Sequence, residues 1–478
     1  MDLNTSLKAA SSPHSPQDDR PVSVGQDPEK AETTAATRDD VPEAVPSHSV
    51  EKWNEPRINI HRLMVTNYSF VIMGMSDACL GPLIPYIEQY YNISYTLVSL
   101  LFLSSFVGYL VAALSNNLIH HHLGQRGVAL IAPSARILGY VLLCLHLPFP
   151  ALPPLMMLPG FGSGLEDSAW NAWIGNMASA NELLGFLHGS YGLGATIGPL
   201  VSTAMVVKAG WPWYAYFYLM IGMASLELVL ASTVFWGATA ESYRATRGTA
   251  SDGTRTTTRT VMREPITWLL SIFLLGYVGA ENALGGWIVT FMLDVRHAEP
   301  FDAGLTVTFF WLGLAVGRVT MGFLTGKIGE KLAIATYLVL AIALQVLYWL
   351  VPSFVASAVF VSFEGFFLGP LFPGAIVAAT KLLPVDYHIS AIGFAAAFGG
   401  GGAAVVPFVV GAIASSQGVW VLQPIILAVL AFLLLVWLAL PGGLRRGGLE
   451  HARETREKIG HQVVMAYRWM RGKTRKRL

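Results

Sequence analysis

Eight ionisable residues sit inside long apolar runs: Asp77, Arg136, Glu166, Asp167, Glu227, Glu281, Arg318 and Glu364. A charge at mid-bilayer costs ~3 kcal/mol on insertion scales, so each needs a partner or a water-filled cavity. A carboxyl whose surroundings alternate between dry and wet can take up a proton on one side of a membrane and release it on the other. Asp77, Glu166 and Asp167 are the candidates for such proton coupling. The competing reading is a static buried ion pair, with Arg136 neutralising Glu166 or Asp167. Glu281 and Glu364 suit solute contact or structural bonding, and Glu227 suits a helix–helix contact.

These residues need a membrane around them, and the composition implies one. The chain has 478 residues, 53% hydrophobic and 13% charged, with a mean hydropathy of +0.51. Soluble domains carry about 25% charged residues, and the shortfall excludes a soluble enzyme, a disordered scaffold and a nucleic-acid binder. The net charge of +1 is two opposite tails cancelling. Residues 1–61 hold eleven acids against six Lys/Arg, and residues 441–478 hold eleven Lys/Arg against three acids.

Between the tails, twelve apolar runs are each long enough to span. They fall at 63–88, 95–119, 127–147, 154–178, 184–206 and 213–236, then at 266–292, 303–325, 332–351, 354–379, 389–415 and 419–440. The expected fold is all-α, with twelve transmembrane helices in two six-helix halves. The expected divisions are a disordered N-terminal tail (1–61), a first half (62–236), a linker (237–264), a second half (265–440) and a basic C-terminal tail (441–478). No cleavable signal peptide is expected, because no basic segment precedes a short apolar one. Cys79 and Cys144 lie inside apolar runs, so a disulfide framework is excluded.

Loops on the side of the termini hold Arg126, Arg244, Arg247, Arg255, Arg259, Arg263, Lys327, Lys331 and Lys381, and the opposite loops hold only Lys208 and Arg296. That bias puts both termini in the cytoplasm of a multi-pass protein, expected in the plasma membrane. A shift of 205 residues lays Gly74-x-x-Asp77-x-x-x-Gly81 on Gly279-x-x-Asn282-x-x-x-Gly286. The same shift lays Gly108 on Gly313, and Gly160-Phe161-x-x-Gly164 on Gly365-Phe366-x-x-Gly369. Parallel repeats of this kind enclose a midplane cavity, which is transporter architecture.

After the eighth run the chain reads Gly322-x-x-x-Gly326-Lys327-x-Gly329-x-Lys331. This resembles the loop motif of the major facilitator superfamily, with Gly326 at the place of the family's acid. The first-half equivalent keeps only Gly124 and Arg126. In the family these basic loops act in the cytoplasmic gate, so Arg126, Lys327 and Lys331, with Arg318 two turns away, are read as gate residues. Span five carries Gly185, Gly194, Gly198 and Pro199, resembling the superfamily's antiporter motif. Ser202 and Thr203 replace its last two glycines. Helix packing alone explains that stripe as well as a bend typical of exporters does.

The stretches Gly160–Trp173, Leu187–Gly194 and Tyr277–Trp287 are similar to the fucose–proton symporter branch, especially its fungal members. That resemblance implies one carboxylate on the first helix, at Asp77, and one on the fourth, at Glu166 or Asp167. It also implies that spans one, four, seven and ten line the cavity. Trp170, Asn171, Trp173, Glu281, Asn282, Trp287, Trp311 and Glu364 then become substrate-cavity candidates. Individual tryptophans also serve as packing or interfacial anchors.

The expected activity is secondary transport of a small organic solute by a monomer, with protons and the lipid bilayer as partners. No cofactor and no metal are expected, the His120–His122 run lacking a second ligand cluster. Scarce mid-span amides and the span-five motif favour proton-coupled export of an amphipathic metabolite. Proton-coupled uptake of a sugar is the alternative, and a transport-dead sensor is weaker still. No nucleophile motif supports an enzyme. Asn92-Ile-Ser94 is a sequon in a loop too short for efficient modification.

Overall fold

The computed structural model describes residues 51–248, 261–384, 387–444, 447–455 and 458. Most of the N-terminal tail, the linker arginines Arg255 and Arg259, and the extreme C-terminal basic run lie outside the described residues.

Among the described residues the regular elements are helices. The first half holds α1 (Ile58–Ala78), α2 (Leu80–Tyr91), α3 (Tyr95–Leu123), α4 (Gln125–Leu143), α5 (Leu152–Gly175), α6 (Ala180–Thr203) and α7 (Ala215–Phe235). A short α8 (Ala240–Gly248) follows. The second half holds α9 (Pro265–Asp294), α10 (Pro300–Ile328), α11 (Glu330–Leu350), α12 (Phe354–Leu368), α13 (Leu371–Leu382), α14 (His388–Gln417) and α15 (Leu422–Ala439).

Ten spans of 19 to 30 residues are long and apolar enough to cross a bilayer, α12 with α13 counting as one, and α1 with α2 makes an eleventh, bent by 42°. The twelfth is α5, whose 24 residues include Glu166 and Asp167, and whose first turns hold Pro153, Pro154 and Pro159. It packs between α3 and α4, so its two acids need not face lipid.

Short connections force successive spans to alternate direction. One end of the bundle therefore carries the start of α1 and the end of α15, and is called the terminal end below. The far end carries the α2–α3 and α9–α10 turns.

The repeat seen in the sequence is a repeat of packing. In the first half α5 packs on α3 and α4, α6 on α1, and α7 on α4; in the second, α12 packs on α10 and α11, α14 on α9, and α15 on α11. The glycines make this possible, since small residues let helix backbones touch. A Cβ on Gly108 would collide with the Met157 carbonyl, and one on Gly313 with the Ser362 carbonyl, 205 residues further on. Gly160 meets the Ser105 carbonyl, and Gly365 meets that of Phe310. Gly124 and Gly329 end α3 and α10 at φ +71° and +100°, so each tight turn into the next helix uses a conformation that glycine adopts without strain.

The halves meet through α3 on α14, α6 on α10 and α2 on α9. Contact is dense towards the far end. There the Tyr95 hydroxyl donates to Asp294 Oδ2 at 2.6 Å, the Lys208 ammonium lies 4.3 Å from the Phe301 ring centre, and Gly304 abuts Thr203. Towards the terminal end, a Cβ added at Gly185, Gly189, Gly322, Gly326 or Gly393 would meet nothing within 4 Å. The bundle is closed at the far end and looser at the terminal end.

Candidate functional site

Between the halves lies a cavity of about 290 Å³, lined from α1, α2, α3, α5, α6, α9, α10, α13 and α14. Asp77 leaves the last turn of α1 and is exposed to it. The Tyr191 hydroxyl, from α6, donates to Asp77 Oδ2 at 3.2 Å. Asp167 leaves α5 half-buried and also lines the cavity. It accepts from the Tyr109 hydroxyl of α3 on Oδ2 and from Asn171 Nδ2 on Oδ1 at 2.8 Å. The first half thus presents two carboxyls, each with a tyrosine hydroxyl on it.

Asn171 spends its second amide hydrogen on the Asp167 carbonyl, at 2.8 Å. Its Oδ1 must therefore accept, and His188 Nε2 donates to it at 3.1 Å. His188 Nε2 therefore carries a hydrogen in this bond.

The second half contributes a cation. Arg318 of α10 lines the cavity, 3.5 Å from Glu281 Oε1. It also donates to the Tyr277 hydroxyl at 3.2 Å and to the Gly369 carbonyl at 3.3 Å. Asn282, Trp311 and Phe372 line the same space, with a shelf of small residues on α14 from Ala396 to Ala404. Formal charge in the cavity is three carboxyls against one guanidinium, which favours protons with a neutral solute, or a cationic solute, over an anion.

Several candidate residues lie elsewhere, and helix geometry explains why. Successive residues point 100° apart, so Glu166 cannot share the direction of Asp167. It is buried inside the first half, 2.6 Å from Arg136 Nη1, and Arg136 also holds Glu227 at 2.8 Å. Trp170 and Trp173 follow Glu166 at i+4 and i+7, on its side of the helix, and both pack against Phe235 of α7. Trp287 is fully buried and donates Nε1–H to the Pro407 carbonyl at 2.9 Å, tying α9 to α14. Glu364 is fully buried outside the cavity, and neither of its carboxyl oxygens has a hydrogen-bond partner.

The gate assignments also change. Arg318 belongs to the cavity. Lys331 does not reach across to the other half; its ammonium donates to the Leu440 carbonyl and, at 2.5 Å, to that of Gly442, covering the unpaired carbonyls at the end of α15. Lys327 is exposed in the last turn of α10. Arg126 lies over the Trp236 ring, 5.0 Å from its centre. In span five, Gly194 and Gly198 abut the Val71 and Met75 backbone of α1, whereas Gly185 faces open space. Pro199 lies inside α6, which ends in a π-helical turn at Ala204–Lys208.

The residues that the sequence did not single out are Tyr109, Tyr191, Tyr277 and His188 as cavity partners of the acids. Their signal was available: each is a hydrogen-bonding group inside an apolar run, and Tyr277 lies one turn before Glu281 on the same helix.

A family model described as Major Facilitator Superfamily matches residues 68–299 and 278–470. The chain belongs to the major facilitator superfamily. It is therefore an integral multi-pass membrane protein and a transporter of small solutes, not an enzyme. This superfamily member is 30% identical over 400 residues to "Bypass of stop codon protein 6" of Saccharomyces cerevisiae, a match covering 78% of this chain and 80% of the relative. It is 22% identical over 354 residues to the glucose/mannose transporter GlcP of Bacillus subtilis, covering 72% and 85%. Among solved structures, the nucleoside transporter NupG superposes with a TM-score of 0.64 at 12% identity, covering 79% of this chain and 99% of that one. A D-xylose–proton symporter superposes at 0.62 with 16% identity, covering 78% and 97%. At those identities the two structures establish the fold.

Proposed function

We propose that this transporter moves a small, uncharged solute rich in hydrogen-bond donors together with protons, and that Asp77 and Asp167 carry the protons. One observation carries the reading. Two carboxyls on different helices face one cavity, and each rests on a tyrosine hydroxyl that can donate to the ionised form or accept from the protonated one. The cavity volume is at the lower end for ligand sites and fits a monosaccharide-sized molecule. Trp311 and the flat α14 shelf offer a face for a sugar ring, and His188 Nδ1, Asn282 and the Glu281–Arg318 pair offer polar contacts. The similarity to the glucose/mannose transporter GlcP supports the same solute class. This reading keeps the chain in the fucose–proton symporter branch, with uptake across the plasma membrane and both termini cytoplasmic.

A second reading, proton-driven export of an amphipathic metabolite, is favoured by the aromatic part of the wall, Phe70, Phe102, Phe106 and Trp311. One experiment separates them. The protein is sealed into vesicles under an imposed pH gradient and offered labelled glucose, mannose and xylose, in parallel with an apolar aromatic metabolite. Gradient-driven accumulation of a sugar, lost in Asp77→Asn and Asp167→Asn, supports uptake. Extrusion of the aromatic compound alone supports export, and flux indifferent to the gradient rules out coupling.

A further inference from the structure

The cluster around Arg136 lies behind the cavity wall, meeting a lining residue only at Ser163, and has no part in the reading above. It joins α4, α5 and α7 inside the first half. Arg136 Nη1 is 2.6 Å from Glu166 Oε2, and 3.0 and 2.8 Å from Glu227 Oε1 and Oε2. Nη2 reaches only Ser163 Oγ, at 3.5 Å, and Nε has no partner. The three side chains are at most 1% exposed. Two carboxyls therefore converge on a single nitrogen, which leaves their nearest oxygens no more than about 5.4 Å apart. At such a separation like charges oppose each other's ionisation.

The charge count does not close with both carboxyls ionised. Among the described residues, no second cation pairs with Glu166 or Glu227. The Tyr140 hydroxyl of α4 is spent on Ser76 Oγ at 2.9 Å, and the Tyr68 hydroxyl of α1 on the Met223 carbonyl at 3.2 Å. Asp77 of α1 is a further acid and faces the cavity. A net negative charge sealed among these helices would be uncompensated, the situation that buried ion pairs tolerate least.

We infer that the Arg136–Glu166–Glu227 triad permanently holds one proton on Glu166, and is a neutral clamp insulated from the protons carried by Asp77 and Asp167. The choice of Glu166 follows from the contacts. Glu227 turns both oxygens to the guanidinium, as an anion does. Glu166 brings only Oε2 near it, at 2.6 Å, and neither of its oxygens completes a hydrogen bond, so it lacks the two-oxygen grip that marks the ionised partner. The neighbouring acids of α5 then differ in kind: one proton is kept and the other exchanged. The inference does not depend on which solute is moved.

The test is infrared difference spectroscopy on the full chain in lipid, native against Glu166→Gln, with no solute added. The expected difference is the loss of one protonated-carboxyl carbonyl band, of constant intensity from mildly acid to mildly alkaline buffer, with the melting temperature unchanged. Loss of carboxylate bands instead, or a band that titrates over that range, overturns the inference. Glu227→Gln is the second arm. It deprives Arg136 of its anion, so Glu166 is expected to ionise and the same band to vanish; persistence of the band overturns the inference. If neither variant folds, isotope-labelled glutamate in the otherwise native chain isolates glutamate carbonyls from those of Asp77 and Asp167, with Glu364→Gln identifying the other buried one. A pH-insensitive glutamate band left in that comparison supports the inference, and its absence overturns it.

Discussion

Glu166 and Asp167 are neighbours on α5 whose side chains end on opposite walls: Glu166 on Arg136 inside the first half, Asp167 beside Tyr109 in the cavity. Only the second lines the cavity. Asp167→Asn is therefore expected to abolish one proton-driven step. Each proton moved down a potential contributes roughly 2.3 kcal/mol per 100 mV, so the accumulation ratio in vesicles should fall by roughly fiftyfold. Exchange without a gradient should persist. Undiminished accumulation in Asp167→Asn and Asp77→Asn would falsify the coupling assignment.

The bond from Tyr95 to Asp294 joins the first residue of α3 to the last of α9 across the closed far end. A hydrogen bond to a charged group contributes about 1.5–3 kcal/mol, so Tyr95→Phe should shift the balance between closed and open far ends by roughly ten- to hundredfold. Ser105 lines the cavity, and a cysteine placed there reports the change. Its alkylation by an impermeant thiol reagent added at the far side should accelerate in the Tyr95→Phe background. An unchanged rate would show that this contact does not hold the end shut.

Gly108→Ala and Gly313→Ala should each lower thermal stability, because the new methyl meets a backbone carbonyl that cannot move aside. Overpacking of this sort costs about 1–3 kcal/mol. Gly189→Ala is the control: nothing lies within 4 Å of the added carbon, and alanine is the better helix former by about 1 kcal/mol. Melting curves in detergent compare the three. Equal losses at all three sites would contradict the packing described.

At the terminal end Lys381 stands 2.7 Å from Glu330 and 2.6 Å from Glu450. The hydrogen bond from Lys381 holds the Glu450 carboxyl below the usual carboxylate range. The native state then binds fewer protons there than the unfolded chain. The contribution is present above the unfolded value and is lost as pH falls through the folded one. Glu450 is 45% exposed, so Glu450→Gln should cost less than about 1 kcal/mol. Lys381→Met should cost about 2 kcal/mol, because it also strands the nearly buried Glu330. Denaturant titration of both variants at two pH values checks the order and the sign.

Spans, repeat and the acids on cavity helices were legible because each is a one-dimensional pattern: apolar length, a fixed offset, a charge where charges are rare. What failed was direction around a helix and depth along it. Trp170 and Trp173 looked like cavity residues because their helix lines the cavity, yet their side of α5 follows Glu166. Arg318 looked like a gate residue from its place near Lys327. Ten residues of helix separate it from Ile328, about 15 Å at 1.5 Å per residue, which is half the hydrocarbon thickness. Lys331 was misread for a third reason: its partners are the backbone carbonyls of Leu440 and Gly442, and no sequence pattern announces them.

The glycine contacts that weld α3 to α5 and α10 to α12 have a mechanical consequence. Helices locked backbone to backbone resist sliding, so each half is expected to move as a stiff lever arm. The freedom expected to remain is rotation about a pivot near Gly81, where a Cβ would meet the Gly285 carbonyl, and Gly304, which abuts Thr203. Displacement then grows with distance from that pivot. Paired spectroscopic labels at the terminal ends of α6 and α10 should separate and approach over the longest travel, while a pair beside Gly81 and Gly285 should barely move.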